Sequence, residues 1–211
     1  MKKVEINKEN LMQLLKNKDI TIGQGTYGLI KKVDDNTLLK IYYKKIYNTY
    51  KSLNEETLDK EISNNKEIEE IVKSQELVEL RRQHLLKLYE LSLIKGIVLY
   101  ENYEIGVLLT YYKDYEELTD SFQKLSVSEK KETLSKIKIE LENLMKNNIY
   151  PHDLKESNIM INLNNLDIKI IDLDGDETRY EDIEYVLQYP YIKNECIIRY
   201  NQMCKRLLKQ I

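Results

Sequence analysis

The chain has 211 residues, of which 42% are hydrophobic and 33% charged, with a formal net charge of −3 at pH 7. This length allows one good hydrophobic core or two small ones, and the charge balance gives no reason to expect a nucleic-acid partner. No run of roughly 18 apolar residues occurs, so we expect no membrane span. Cys196 and Cys204 lie in a predicted helix without metal-ligand spacing, which favours a reduced compartment and a cytoplasmic protein.

The first predicted elements are a short helix over residues 7–17 and a glycine-rich hairpin over residues 19–33. Gly23, Gly25 and Gly28 have the spacing G-x-G-x-x-G. A dinucleotide-binding fingerprint requires a helix directly after these glycines, whereas here the chain continues as a predicted strand. We therefore interpret the hairpin as a phosphate-binding loop, in which glycines let the backbone approach the phosphates closely.

Lys40 lies on the next predicted strand, in the run T-L-L-K-I-Y-Y. Alternation along a strand predicts that Leu38 and Lys40 share one face and that Leu39 and Ile41 share the other. Because a phosphate loop comes immediately before it, we interpret Lys40 as a contact to the α- and β-phosphates of a nucleotide.

The middle of the chain predicts helices and two more strands. Residues 51–91 are charged and rich in helix formers, and the apolar runs Ile97–Tyr100 and Ile105–Tyr112 read as strands. Ser126 and Glu129 have the spacing of a capping box, which predicts the start of a helix. Its apolar residues recur at helical spacing. A last helix is predicted from about residue 192 to the end.

The stretch from residue 150 to 175 carries the densest set of functional side chains. The sequence D-L-K-E-S-N puts Asp153, Lys155 and Asn158 in one loop, and two apolar runs then predict a β-hairpin that ends in Asp172. Phosphoryl transfer needs such a set: an Asp to orient and deprotonate a hydroxyl, an Asn and a second Asp to hold Mg²⁺, and a Lys to neutralise the moving group.

These motifs, in this order, resemble the protein-kinase superfamily over roughly residues 20–175. The resemblance implies an α+β, bilobal protein-kinase-like fold with nucleotide between the lobes. Residues 1–112 would form an N-lobe with an antiparallel sheet and a long helical insertion, and residues 113–211 a reduced helical C-lobe. Pro151 and His152 stand where the family has a His-Arg pair, and the family's D-F-G reads D-L-D from Asp172, with Gly175 one place late.

The resemblance implies ATP and Mg²⁺ as cofactors and assigns a role to each residue. Asp153 would orient the acceptor hydroxyl, and Lys155 would stabilise the transferred phosphoryl charge. Asn158 and Asp172 would bind the metal, and Asp174 would lie near the metal or cap a turn. Gly23, Gly25, Gly28 and Lys40 would bind the nucleotide phosphates.

The resemblance also requires a glutamate that pairs with Lys40. We favour Glu76, because Leu80 lies one helical turn later and could pack on the metal loop. Glu79 and Glu70 are alternatives.

The end of the second predicted strand would lead into a hinge. Thr110 and Tyr112 would offer backbone groups to adenine, and Leu109 would line the back of the pocket.

The expected activity is ATP- and Mg²⁺-dependent transfer of a phosphoryl group to an alcohol. Lys155, two residues after Asp153, resembles serine/threonine protein kinases, so a protein hydroxyl is the favoured acceptor. Leu38, the D-L-D motif and the lack of a visible peptide-docking subdomain resemble small-molecule kinases (aminoglycoside, choline or sugar type) and lipopolysaccharide kinases. A pseudokinase that binds nucleotide or a partner protein without catalysis is a third reading, against which the intact catalytic set argues.

Overall fold

The structure is a computed structural model that describes residues 1–24, 28–42, 75–151, 153–174 and 191–209. These residues form two compact units, and the chain passes from the first to the second between Tyr111 and Tyr112. The predicted boundary lies one residue further along, between residues 112 and 113. Both units contain helices and strands, so the fold is α+β, as the sequence predicts.

The first unit is built on a six-stranded sheet. Its strands are β1 (Lys3–Glu5), β2 (Thr21–Gln24), β3 (Gly28–Asp34), β4 (Thr37–Tyr42), β5 (Ile94–Tyr100) and β6 (Tyr103–Thr110). The order across the sheet is β1-β5-β6-β4-β3-β2, and the pairs are antiparallel except for β1 with β5. The sequence did not predict β1, which is only three residues long.

The hairpin between β5 and β6 differs from the predicted one. Its turn consists of Glu101 and Asn102, both with positive φ, 49° and 68°, as in the type I′ turns that match the twist of paired strands. Because the turn is shorter than predicted, β6 begins at Tyr103, earlier than predicted. Strand β5 also begins earlier than predicted, at Ile94. β6 ends at Thr110, so residues 111 and 112 lie outside the strand.

One face of the sheet is covered by α1 (Lys8–Lys16), which confirms the helix predicted over residues 7–17. Asn7 caps it, because the side-chain oxygen of Asn7 accepts a hydrogen bond from the amide of Asn10 at 2.8 Å. Leu11 is fully buried and belongs to the same hydrophobic cluster as Leu39 and Ile41 of β4. These contacts fix α1 on the Leu39 face of the sheet.

The other face carries α2 (Gln75–Glu90). Tyr42 lies two residues after Lys40 on β4, so the two side chains share a face. The guanidinium of Arg81 in α2 donates a hydrogen bond to the Tyr42 hydroxyl at 2.9 Å. The helix therefore lies on the Lys40 side of the sheet.

The second unit joins a small sheet to helices. Its elements are β7 (Glu116–Glu117), α3 (Leu118–Ser121), α4 (Val127–Lys146), β8 (Ile159–Asn162), β9 (Asp167–Ile170) and α5 (Tyr191–Leu208). The sheet order is β7-β8-β9, with both pairs antiparallel. The predicted hairpin is confirmed as β8 and β9.

Helix α4 begins at the predicted capping box. The Ser126 hydroxyl accepts from the amide of Glu129 at 3.3 Å, and the Glu129 carboxylate accepts from the amide of Ser126 at 2.8 Å. The capping box is therefore confirmed. The predicted apolar residues lie on one buried stripe of the helix, with Met145 only half-buried: Leu134, Ile137, Leu141 and Leu144. Helix α4 packs against β9.

Helix α5 confirms the last predicted helix. Met203 and Leu207 are buried, and the hydroxyl of Tyr200 donates to the carbonyl of Leu134 in α4 at 3.1 Å. Neither α5 nor any other helix in the described ranges is long and apolar enough to cross a membrane.

Candidate functional site

Three predicted residues meet in the loop before β8. The amine of Lys155 lies 2.5 Å from the Asp153 carboxylate. The side-chain amide nitrogen of Asn158 donates to the backbone carbonyl of Asp153 at 2.8 Å and contacts its carboxylate at 3.3 Å. The loop therefore fixes the Asp153 carboxylate between a cation and an amide. We call residues 153–158 the catalytic loop, after the role that the sequence predicts for them.

The sequence of the catalytic loop explains its shape. Leu154 is buried, whereas Asp153 and Lys155 on either side of it keep exposed side chains, 38% and 48% respectively. The residues Glu156–Asn158 form a 3₁₀ turn, which the amide of Asn158 closes by donating to the carbonyl of Lys155 at 3.0 Å. One buried leucine thus anchors the loop and directs the two charged side chains to solvent.

The β8–β9 hairpin brings Asp172 close to Asn158. Ile159 is paired with Ile170, and the amide of Ile171 donates to the carbonyl of Asn158 at 2.9 Å. The ladder therefore continues one residue beyond both strands, and Asp172 follows directly after it. Asn158 and Asp172 consequently emerge at the same end of the hairpin.

Asp172 adopts a left-handed backbone conformation, with φ of 62°. Residues other than glycine rarely adopt this backbone conformation, although aspartate tolerates it better than most because its short side chain can hydrogen-bond locally. Such conformations cluster at functional sites. The side chain of Asp172 is exposed, whereas Asp174 is 1% exposed.

The donors at the end of the hairpin fit Mg²⁺ bound with a nucleotide. No group of three or more His, Cys, Asp or Glu side chains that could hold a metal occurs among the residues described. Asn158 and Asp172 offer one amide oxygen and carboxylate oxygens. Mg²⁺ prefers oxygen ligands, and in nucleotide-dependent enzymes it takes only one or two protein carboxylates and completes its shell with water and phosphates.

In the first unit, Gly23 and Lys40 lie in one row across the sheet. Gly23 is paired with Ile30, Ile30 with Lys40, and Lys40 with Val107. Neighbouring strands are about 4.8 Å apart, so the backbone of Gly23 lies about 10 Å from that of Lys40. Leu109 is paired with Leu38, and both lie on the face of Lys40 because they are two residues from the members of this row.

Lys40 is half-buried and lies close to aromatic and charged side chains. Its amine is 5.7 Å from the centre of the Tyr42 ring, and the Arg81 guanidinium carbon is 5.2 Å from the same ring. Cations at these distances are attracted by the ring. Arg81 also pairs with Glu104 of β6 at 3.2 Å, and the two side chains are 7% and 18% exposed.

Among the other residues predicted to bind phosphate or to pair with Lys40, Gly28 is the one that the structure describes in full. Gly28 lies within β3 opposite Tyr42, and a Cβ there would come within 2.8 Å of the carbonyl oxygen of Ile41. Gly25, Glu70 and His152 lie outside the described residues, and so do the side chains of Glu76 and Glu79, although both residues belong to α2. The Glu76–Lys40 pair stays a prediction.

The predicted adenine-binding segment uses some of its backbone groups within the fold. The amide of Tyr111 donates to the carbonyl of Asn36, and the amide of Tyr115 donates to the carbonyl of Tyr112, both at 3.0 Å. Thr110 is the last residue of β6. An adenine ring bound here would compete for these groups or would use the others in the segment.

Sequence reasoning missed Tyr42, Arg81 and Glu104. The alternation of β4 was a usable signal for Tyr42, because it places that ring on the face of Lys40. Arg81 and Glu104 lie 23 residues apart on a helix and a strand, and no local pattern links them.

Comparison with models of known protein families gives no match for this chain, and comparison with curated proteins gives none.

Proposed function

We propose that this chain is an ATP- and Mg²⁺-dependent phosphotransferase of the protein-kinase-like type that acts on serine or threonine hydroxyls of proteins. The observation that carries the proposal is the contact set of Asp153, Lys155 and Asn158, with Asp172 at the adjacent end of the hairpin. Phosphoryl transfer to a hydroxyl uses such a set: an acid that orients the acceptor, a lysine that offsets charge, and an amide and a second carboxylate for Mg²⁺.

Asp153 would act on the acceptor. An exposed carboxylate can accept the hydrogen bond of a hydroxyl, orient it towards the γ-phosphate, and take its proton as the new O–P bond forms. Asn158 holds the backbone of Asp153 through its side-chain amide, so the carboxylate is oriented before any substrate binds. Lys155 would offset the negative charge of the transferred group.

Mg²⁺ would neutralise the charge that develops on the phosphates. Asn158 uses its amide nitrogen on Asp153, so its side-chain oxygen is the atom that could serve the cation. Asp172 would supply the second protein ligand.

The first unit supports nucleotide binding through Gly23 and Lys40. The row that contains them combines a glycine backbone with a lysine amine on one sheet face, and both groups suit phosphate oxygens. Lys40 also lies on the third strand of the run that starts with the glycine hairpin, which is where protein kinases have their phosphate-binding lysine.

A small-molecule kinase is the second candidate. The residues described after Asp174 belong to α5 and its end, and α5 packs on α4 and touches the segment around the catalytic loop. These described residues therefore offer a scaffold for the loop rather than a separate platform for a peptide.

The test is transfer from γ-labelled ATP in three reactions: with mixed protein substrates, with small hydroxyl compounds of the aminoglycoside, choline and sugar types, and with no acceptor. Each reaction is run with Mg²⁺ and with a chelator. We expect label on protein serine or threonine, dependent on Mg²⁺. Label on a small acceptor alone would move the proposal to the second candidate. ATP binding without any transfer would indicate a pseudokinase, and neither binding nor transfer would refute the proposal.

A further inference from the structure

Arg206, near the C-terminal end of helix α5, is hydrogen-bonded to the catalytic loop. The guanidinium of Arg206 donates twice to the carboxylate of Glu156, from Nε to Oε1 and from Nη2 to Oε2, each at 2.9 Å. Glu156 directly follows Lys155 and is the first residue of the 3₁₀ turn that ends at Asn158. The arginine thus holds the turn on which two of the proposed functional residues depend.

The same helix contacts the chain just before the loop. The thiol of Cys196 donates to the backbone carbonyl of Pro151 at 3.2 Å, and Cys196 is 1% exposed. Burial raises the pKa of this thiol to about 12, so it keeps its proton and remains a donor. Cys196 and Arg206 are about 15 Å apart along the helix axis. Helix α5 therefore spans the segment and contacts it on both sides of Asp153.

Other contacts also hold α5 in place. The Tyr200 hydroxyl ties α5 to α4, and Met203 and Leu207 bury its apolar side. The loop is therefore held by a helix that is itself packed in the core of the unit.

The Arg206–Glu156 pair is better suited to fixing the orientation of the Glu156 carboxylate than to increasing the stability of the fold. Glu156 is 20% exposed, but Arg206 is 53% exposed, and solvent around the guanidinium reduces what the ion pair contributes to folding. Two parallel hydrogen bonds, however, fix the plane of the carboxylate. Burial raises the pKa of Glu156, but the hydrogen bonds from Arg206, a backbone hydrogen bond and the positive charge of Arg206 together outweigh it, so the pKa is lowered and the carboxylate stays charged near neutral pH.

We propose that Arg206 and Glu156 are positioning residues, through which α5 sets the orientation of Lys155 and Asn158 around Asp153. The inference rests on the proposed phosphotransferase function. A rotation of the Glu156 turn would move the carbonyl of Lys155 that accepts from the Asn158 amide, and with it the amide side chain that holds Asp153.

The experiment compares Arg206→Gln and Glu156→Gln with Arg199→Gln as the matched control. Arg199 pairs with Glu195 on the same helix at 3.1 Å and is 38% exposed; that pair lies within α5. We expect kcat to fall by about 10- to 100-fold in the two loop variants, because small misplacements of catalytic groups have effects of this size. The KM for ATP should change little. The double reversal Glu156→Arg with Arg206→Glu should recover most of the lost rate.

Hydrogen exchange supplies a readout that needs no activity. The Asn158 amide should exchange faster in Arg206→Gln, while the amides of α4 exchange as in the wild type. Unchanged kcat and unchanged exchange at Asn158 would overturn the inference. Equal losses in Arg199→Gln, or faster exchange throughout α4, would also overturn it, because they indicate general destabilisation. A wild-type protein without transfer activity would refute the proposed function instead, and exchange at Asn158 would still decide whether α5 holds the loop.

Discussion

Two clusters of charged side chains, one in each unit, are held in opposite ways. In the first unit, Arg81 is 7% exposed and is fixed by packing against the Tyr42 ring and by Glu104, which comes from a different part of the chain. In the second unit, Asp153 and Lys155 are 38% and 48% exposed. They are fixed by hydrogen bonds inside a loop of six residues.

This difference predicts where mutations act. A buried charge that loses its partner destabilises a protein strongly, because the remaining charge is still desolvated. An exposed pair is solvated in either case, so its loss costs little stability. We therefore expect the buried cluster to govern the stability of the first unit, and the exposed cluster to govern activity with little effect on folding.

The largest effect on stability is expected for Arg81→Ala. The change leaves Glu104 without its guanidinium partner and removes the hydrogen bond to Tyr42, so the free energy of unfolding should fall by about 3 kcal/mol, the lower end of the range for broken buried pairs. Urea unfolding followed by circular dichroism measures it. The control is Arg82→Ala, an exposed neighbour on the same helix, for which we expect a change of about 0.5 kcal/mol or less. Similar losses of unfolding free energy in the two variants would mean that the burial of Arg81 does not determine the size of the loss.

An intermediate effect is expected for Tyr115→Phe in the second unit. The Tyr115 hydroxyl donates to the Asp167 carboxylate at 2.5 Å, and the loss of one such bond should cost about 1–2 kcal/mol at pH 7. Burial, with the hydrogen bond to Asp167, raises the pKa of Tyr115 to about 12. An unfolded tyrosine has a pKa of about 10.

The difference in stability between wild type and Tyr115→Phe depends on pH, because the pKa of Tyr115 is raised in the folded state. The stabilising contribution of Tyr115 is complete below pH 10 and is lost as the pH rises from about 10 to 12, because the folded state then binds more protons than the unfolded state. The difference in the free energy of unfolding between wild type and Tyr115→Phe should therefore become smaller as the pH rises through this range. A gap that is constant or widens towards pH 12 would contradict the assigned hydrogen bond.

The smallest effect on stability is expected for Lys155→Ala. Its pair with Asp153 is exposed, so the free energy of unfolding should change by about 0.5 kcal/mol or less, while the transfer rate falls by about 100-fold through loss of charge stabilisation. The control is Lys124→Ala, because Lys124 forms an exposed pair with Glu116 in the same unit. We expect the control to retain the wild-type rate. A large loss of stability in Lys155→Ala would show that the loop depends on this pair for folding.

Much of the second unit could be predicted because its features are local. The capping box of Ser126 and Glu129 depends on a spacing of three residues, and the β8–β9 hairpin on two apolar runs around a turn. The catalytic loop brings Asp153 and Asn158 together because only four residues separate them. Short-range patterns of this kind follow from local backbone geometry and from the chemistry of neighbouring side chains.

The first unit was predicted less completely, because its contacts join distant segments. Strand β1 has only three residues and pairs with β5, a distant segment of the chain. Its own sequence therefore carries almost no pattern from which a strand could be predicted. Arg81 and Glu104 meet only because α2 packs on the sheet. The alternation of Lys40 with Leu39 and Ile41 was predictable from β4 itself and is confirmed by their burial.

The most direct test of the proposed function is phosphoryl transfer by Asp153→Asn. The substitution keeps the size of the side chain and the backbone carbonyl that Asn158 contacts, but it removes the base. We predict that ATP affinity stays near the wild-type value while transfer falls by about 100- to 10,000-fold. The control Asp120→Asn, at an exposed position in α3, should transfer normally. Transfer by Asp153→Asn at the wild-type rate would contradict the assignment of Asp153 as the catalytic base and, with it, the proposed mechanism.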